Sequence, residues 1–183
     1  IITAPHLLEE LWALAGRRLA DDVPLIAMNP FYELLFHDGS RMRCSGDAEA
    51  MRAEIGRLSP GDVAGYERFL VWSRKVFEVG FDKLGNQPFN TPWSMAQATP
   101  EIVSLGGLRS IHAMASRFVK DERIRIALSF HPLFIGGNPL KATAIYGLVA
   151  HLERHWGVHF ARGGTGAIVA GLVRLLESLG GRV

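Results

Sequence analysis

Apolar positions recur at helical spacing through most of this chain and at strand spacing in only a few short stretches. After Thr3-Ala4-Pro5, residues Leu7, Leu8, Leu11, Trp12 and Ala15 fall on one face, which predicts a helix ending near Gly16. Residues 25–36 are dense in aromatic and aliphatic side chains and run to Asp38-Gly39, a dipeptide suited to a two-residue type I′ turn. They predict a β-hairpin of roughly 31–37 with 40–44. It should belong to a larger sheet, because an isolated hairpin is marginal.

The pattern then turns helical. Asp47 is placed to cap a helix carrying Ala48, Met51, Ile55 and Leu58, and a longer helix runs from Asp62 towards Leu84 with Val63, Tyr66, Phe69, Leu70, Ser73, Val76 and Phe77 inward. Ser59-Pro60, Thr91-Pro92, Thr99-Pro100 and Asn138-Pro139 each set a capping acceptor before a residue suited to the first helical position, so each predicts a helix start. Leu108, Ile111, Ala115 and Phe118 share a face, as do Ile145, Leu148, Val149, Leu152 and Trp156. Towards the end a strand over 158–160, a turn over 163–166, a helix over 168–179 and a new strand from Gly181 are expected. The predicted class is α+β, mainly helical, with a small and partly antiparallel sheet.

Composition narrows the possible functions. The 183 residues suffice for one core and are 48% hydrophobic and 21% charged, with mean hydropathy +0.13, which is apolar for a soluble domain. Twenty Lys+Arg oppose eighteen Asp+Glu, and the basic residues are scattered, so no nucleic-acid surface is indicated. Cys44 is the only cysteine, which excludes a disulfide framework or a cysteine-based zinc site within one chain. The longest apolar region, 126–150, is interrupted by Pro132, Asn138, Pro139 and Lys141 and offers no bilayer span. Opening on Ile1-Ile2-Thr3 and closing on Gly181-Arg182-Val183, the chain reads as an internal piece of a longer protein.

Several residue groups carry candidate chemistry. Gly163-Gly164-Thr165-Gly166, between a strand and a helix, aims backbone N–H groups at one point, which suits a phosphate or the electron-rich edge of a flavin. Glycine serving only the turn is the competing reading. Arg74 either faces a reaction chamber or forms an exposed i,i+4 pair with Glu78. Phe130, His131, Leu133 and Phe134 suit either an apolar substrate wall or a plain core, and His131 is either a core histidine bonded to backbone or a polar group near a cofactor. His151, His155 and His159 recur every four residues, but without a His-Glu-x-x-His pattern no metal site is expected. Nucleophilic catalysis has no motif, since Cys44 stands alone and no Gly-x-Ser-x-Gly elbow occurs.

The order of these parts, from the opening helix through the hairpin, Gly61-Asp62-Val63, Trp72-Ser73-Arg74 and Ser129–Gly137 to His155-Trp156-Gly157-Val158 and Arg162–Gly166, resembles the bacterial phytoene desaturase family. The resemblance implies FAD-dependent dehydrogenation of phytoene or a related carotenoid hydrocarbon. Residues 1–183 would be the substrate-binding portion of an amine-oxidase-like two-domain flavoprotein. Residues from about 161 to 183 would return towards an FAD domain that is otherwise absent, so the piece alone should bind FAD poorly and be inactive. Gly163, Gly164, Thr165 and Gly166 would lie near the flavin, Arg74 at the reaction chamber, and Phe130, His131, Leu133 and Phe134 along the substrate path. Val71 stands where the family often has an Asp, which removes one proposed acid–base partner. The resemblance further implies a peripheral enzyme on the cytoplasmic side of a membrane, a polyene substrate drawn from lipid with residues 86–118 facing the membrane, and quinone or oxygen as electron acceptor. A carotenoid isomerase, another FAD oxidase, and a non-enzymatic lipid- or protein-binding helical module are the alternatives.

Overall fold

The computed structural model describes residues 1–85, 88 and 90–183, and of 92, 94, 95, 97 and 98 the backbone. Helix α1 (Pro5–Leu14) begins on Pro5 and fully buries Trp12, whereas Leu7 and Leu11 of its apolar face remain largely exposed. The Trp12 indole donates to Asp22 Oδ2 at 2.8 Å, at the end of a short helix α2 (Leu19–Asp22). Strand β1 (Leu25–Ala27) then pairs antiparallel with residues His159–Ala161, with Leu25 opposite Ala161.

The hairpin forms from β2 (Tyr32–Leu35) and β3 (Arg41–Cys44), with Tyr32 opposite Cys44. Its turn differs from the expected type I′. The Gly39 N–H bonds to the Phe36 carbonyl and only Gly39 takes a positive φ, of 79°. Asp38 instead accepts from the Ser40 N–H and hydroxyl at 2.8 and 2.6 Å, which holds a type I turn followed by a glycine bulge. No third strand joins this sheet among the described residues. Support comes from packing: Phe36, Met42 and Cys44 are buried in the main core beside Met51 and Ile55.

Those last two belong to α3 (Ala48–Leu58), whose first turn is capped by Asp47 accepting from the Ala50 N–H at 2.8 Å. Helix α4 (Val63–Phe77) buries Tyr66, Phe69, Ser73, Val76 and Phe77 as its periodicity predicts. It continues as a π-helical turn over Glu78–Lys83, so the helical course reaches the expected end with a changed register. Helix α5 (Pro92–Ser104) runs through Pro100, which overturns Thr99-Pro100 as a helix start: a proline inside a helix removes one hydrogen bond without ending it here.

Ser110 caps α6 (Ile111–Ala115), leaving Leu108 before the helix and 83% exposed, off the face that holds Ile111 and Ala115. Asp121 caps α7 (Glu122–Ser129), and a 3-10 turn over His131–Ile135 follows. Asn138-Pro139 opens a reverse turn and not a helix, with the Asn138 carbonyl accepting from the N–H groups of Lys141 and Ala142. A second 3-10 turn, Ala144–Gly147, leads into α8 (Leu148–Trp156), β4 (His159–Ala161) and α9 (Thr165–Ser178). Thr165 and Gly166 are therefore helical, and residues 181–183 form no strand.

The described residues are mainly helical with two small antiparallel sheets. Helix α4 packs along α8, where the Ser73 hydroxyl donates to the Gly147 carbonyl at 2.6 Å. A second, smaller core gathers Trp12, Leu19, Val23, Ala161 and Leu175 and seats α9 beside β1 and β4.

Asp62, buried at the start of α4, accepts from the backbone N–H groups of Lys120 and Asp121 at 2.9 and 2.8 Å. Burial pushes its carboxyl up, but these bonds and the Ser59 hydroxyl outweigh that and hold it below the ordinary Asp value of 3.8. A depressed carboxyl adds stability that is present above its unfolded value and lost as pH falls through the folded one. Asp62→Asn should thus flatten the decline of melting temperature below about pH 4. An unchanged acid limb in the variant would remove Asp62 from that role.

Candidate functional site

Helix α8 presents two chemically different sides. Along one, Glu153 and Leu152 point inward. The Glu153 carboxylate accepts from the Tyr32 hydroxyl at 2.8 Å and lies 3.4 Å from His131 Nε2, with both side chains about 95% buried. His131 is therefore buried as expected of a core histidine, but its partners are a carboxylate and a tyrosine, not backbone. Burial and then the Glu153 charge push the Tyr32 hydroxyl far above its usual range, and the same two causes push the Cys44 thiol up to about 12. Neither group ionises at neutral pH. Cys44 is thus an inert core residue.

This buried pair roots the 3-10 turn that follows. Phe130 packs edge-on against Tyr32 and Phe134, while Leu133, Phe134 and Ile135 stay 59%, 56% and 68% exposed. The turn is an apolar surface held in place by a polar foundation. Of the four predicted lining residues, Leu133 and Phe134 are accessible, Phe130 is half-buried and His131 is buried.

The other side of α8 faces a cleft of about 400 Å³ lined by Arg74, Glu78, Asp82, His151, His155 and Trp156, with Phe77 beneath. Arg74 projects from α4 and its Nε bonds Glu78 at 2.9 Å, so the exposed i,i+4 pair is present and sits at the rim of this cleft. An exposed pair of this kind contributes only a few tenths of a kcal/mol. His151 and His155 stack with ring centroids 5.7 Å apart. Burial, then His155 and Arg74, lowers the His151 pKa, which favours its neutral form. His159 is on β4 and off this face. Among the described residues, no three His, Cys, Asp or Glu side chains gather at metal-holding geometry.

The glycine turn lies elsewhere, between β4 and α9. Gly163 and Gly164 take φ of 87° and 80°, values open to glycine but strained for other residues, and the Gly164 N–H bonds back to Ala161. This directs the chain into α9, whose first N–H groups have no acceptor within the helix. Gly163, Thr165 and Gly166 are exposed, and a Cβ at Gly164 or Gly166 would meet nothing within 4 Å. Open space beside unpaired N–H groups fits the approach of an electron-rich ring or phosphate.

Glu153, Tyr32 and Arg154 were not anticipated, and Tyr66 was expected only as an inward residue of α4. The one available signal is position: Glu153 falls between Leu152 and Trp156, four residues after Val149, inside the apolar stripe of α8.

No protein-family model matches the chain. It is 45% identical over 181 residues to a neurosporene-forming phytoene desaturase of Cereibacter sphaeroides, covering 99% of this chain and 35% of the relative. It is 44% identical over 183 residues to a lycopene-forming phytoene desaturase of Pseudescherichia vulneris, covering 100% and 37%. A zeta-carotene-forming phytoene desaturase of Myxococcus xanthus is 32% identical over 188 residues, covering 100% and 36%. The chain thus spans about a third of the length of the curated relatives it matches. From its first helix to its last, the chain is similar to that third of a bacterial phytoene desaturase.

Proposed function

We propose that this chain is the substrate-binding portion of an FAD-dependent enzyme that desaturates phytoene or a related carotenoid hydrocarbon. The observation that carries the reading is the similarity at 44–45% identity along the whole chain to proteins named phytoene desaturases. A polyene offers no polar group, so its binding must come from buried apolar area at roughly 25 cal/mol per Å². The exposed Leu133, Phe134 and Ile135 provide such area. The chemistry removes two vicinal hydrogens, and FAD, when bound, accepts the hydride. The protein's task is to hold the C–H bond in place and exclude water. In this reading the turn of Gly163, Gly164, Thr165 and Gly166 lies against the flavin, with the Gly164 N–H turned back to Ala161 and the first N–H groups of α9 facing the ring. Arg74 stands at the reaction chamber, in the cleft it shares with Glu78, Asp82, His151 and His155. Val71 is 60% exposed and offers no base.

The same reading makes the protein peripheral to the cytoplasmic face of a membrane, with quinone or oxygen reoxidising the flavin. Among the described residues no helix is long and apolar enough to cross a bilayer. Of the proposed membrane-facing segment 86–118, residues 86, 87 and 89 lie outside the described residues. Trp93 and Leu108 are 72% and 83% exposed and provide apolar surface for lipid.

The test is the pigment spectrum of a phytoene-accumulating bacterium expressing the complete parent gene. New visible bands are expected. A colourless extract from folded, flavin-loaded protein would exclude phytoene as substrate. Arg74→Ala should leave the melting temperature nearly unchanged, since the side chain is exposed, and should reduce pigment about tenfold, equivalent to about 1.4 kcal/mol of barrier. Undiminished pigment would confine Arg74 to its surface pair with Glu78.

A further inference from the structure

Beneath the hairpin, between α4 and α8, lies a cavity of about 30 Å³ that the proposed function does not use; Tyr66, Glu153, Arg154, His131, Tyr32 and Cys44 are among its lining residues. Four buried polar atoms of these residues have no hydrogen-bond partner in the protein: the Tyr66 hydroxyl, Glu153 Oε1, Arg154 Nη2 and His131 Nδ1. Tyr66, Glu153 and His131 are only 2%, 4% and 5% exposed. Arg154 lies over the Tyr66 ring, 5.5 Å from its centroid, and acts on its hydroxyl, yet no bond of good geometry joins them; buried polar groups in folded proteins are nearly always satisfied, so these orphans around one space indicate a missing partner.

The chemistry of three of these atoms, on Arg154, Glu153 and Tyr66, narrows that partner. An arginine N–H only donates, an ionised carboxylate oxygen only accepts, and the tyrosine hydroxyl does either. A molecule that serves all of them must both donate and accept within a very small volume. A water molecule needs about 10–15 Å³ by this measure, so the space takes no more than about two or three and excludes larger ligands. A metal ion is not indicated, because among the described residues no three ligating side chains converge.

We propose that this cavity is a built hydration site, holding one or two water molecules bonded to Glu153 Oε1, Arg154 Nη2 and the Tyr66 hydroxyl. The waters bridge α4, which carries Tyr66, to α8, which carries Glu153 and Arg154. Through Glu153 the bridge continues to Tyr32 and His131, and so to the root of the 131–135 turn. The site is independent of the carotenoid reading, since it follows from orphaned atoms and volume alone.

High-resolution crystallography of the complete protein, native and under xenon pressure, tests the proposal without any variant. The expected result is one or two density peaks within hydrogen-bond distance of Glu153 Oε1, Arg154 Nη2 or the Tyr66 hydroxyl, and no xenon in the cavity. An empty cavity, or one that takes up xenon, would show it to be dry and overturn the proposal, because only apolar voids remain empty in water.

Discussion

Replacing Gly65 by Ala should strongly destabilise the fold. Gly65 lies in the first turns of α4, and a Cβ there would stand 2.0 Å from the Phe118 carbonyl oxygen and 3.0 Å from its carbon. That obstacle is backbone and cannot swing away. It is also pinned from both sides: the Phe118 and Val119 N–H groups bond to Ala115, and those of Lys120 and Asp121 bond to the Asp62 carboxylate. Relief would require moving α4 away from α6 and breaking the Asp62 anchor. Overpacking typically costs about 1–3 kcal/mol and more where the surroundings are rigid, so about 3 kcal/mol or greater is expected, much of a domain's total of roughly 5–15. Gly56→Ala in α3 is the matched control. Its Cβ would meet only Val63 Cγ2 at an ordinary 3.6 Å, and removing a helical glycine should stabilise by about 0.5–1 kcal/mol. Urea unfolding of the two variants should therefore shift in opposite directions. Equal midpoints would mean that α4 does not approach the 118–121 backbone this closely.

Local signals were legible where they were strong and self-contained. The Asp47 cap and the α4 stripe could be read because each depends on residues within a few positions, and the last helix was read too but begun three residues late, at 168 where α9 starts at Thr165. Long-range effects were not. Strand β1 exists because Leu25 meets Ala161, far along the chain, and nothing in 25–27 announces that partner. Thr99-Pro100 looks like a helix start by local rules but lies within α5. The I′ reading of Asp38-Gly39 missed the Asp38 side chain, whose bonds to Ser40 favour the bulged turn. In the candidate site, Arg74 and the glycine turn were nameable because they match a family pattern. The carboxylate beneath His131 was hidden, because a Glu beside an Arg on an amphipathic helix reads as solvent-facing.

That carboxylate underlies the second large effect, which is expected from Glu153→Ala. The substitution removes the carboxylate that accepts from the Tyr32 hydroxyl and faces His131 Nε2, and it enlarges the existing cavity beside them. Losing one partner of a buried hydrogen-bonded group costs about 1–3 kcal/mol, and this substitution also leaves a cavity, so a loss of about 3 kcal/mol is expected. Glu153→Gln keeps the volume and an oxygen acceptor for Tyr32, and should lose about 1 kcal/mol. The pairing itself is isolated by combining Glu153→Ala with Tyr32→Phe. Once the carboxylate is gone, the orphaned hydroxyl is a liability, so removing it should recover part of the loss, with a coupling of about 1–2 kcal/mol. Strict additivity of the two losses would mean that Tyr32 and Glu153 do not interact. If the coupling is present, the exposed Leu133–Phe134–Ile135 surface should loosen with it, because the same carboxylate roots the turn through His131. Faster amide hydrogen exchange over 133–137 in Glu153→Ala than in Glu153→Gln, with the distant α9 unchanged, would record that link.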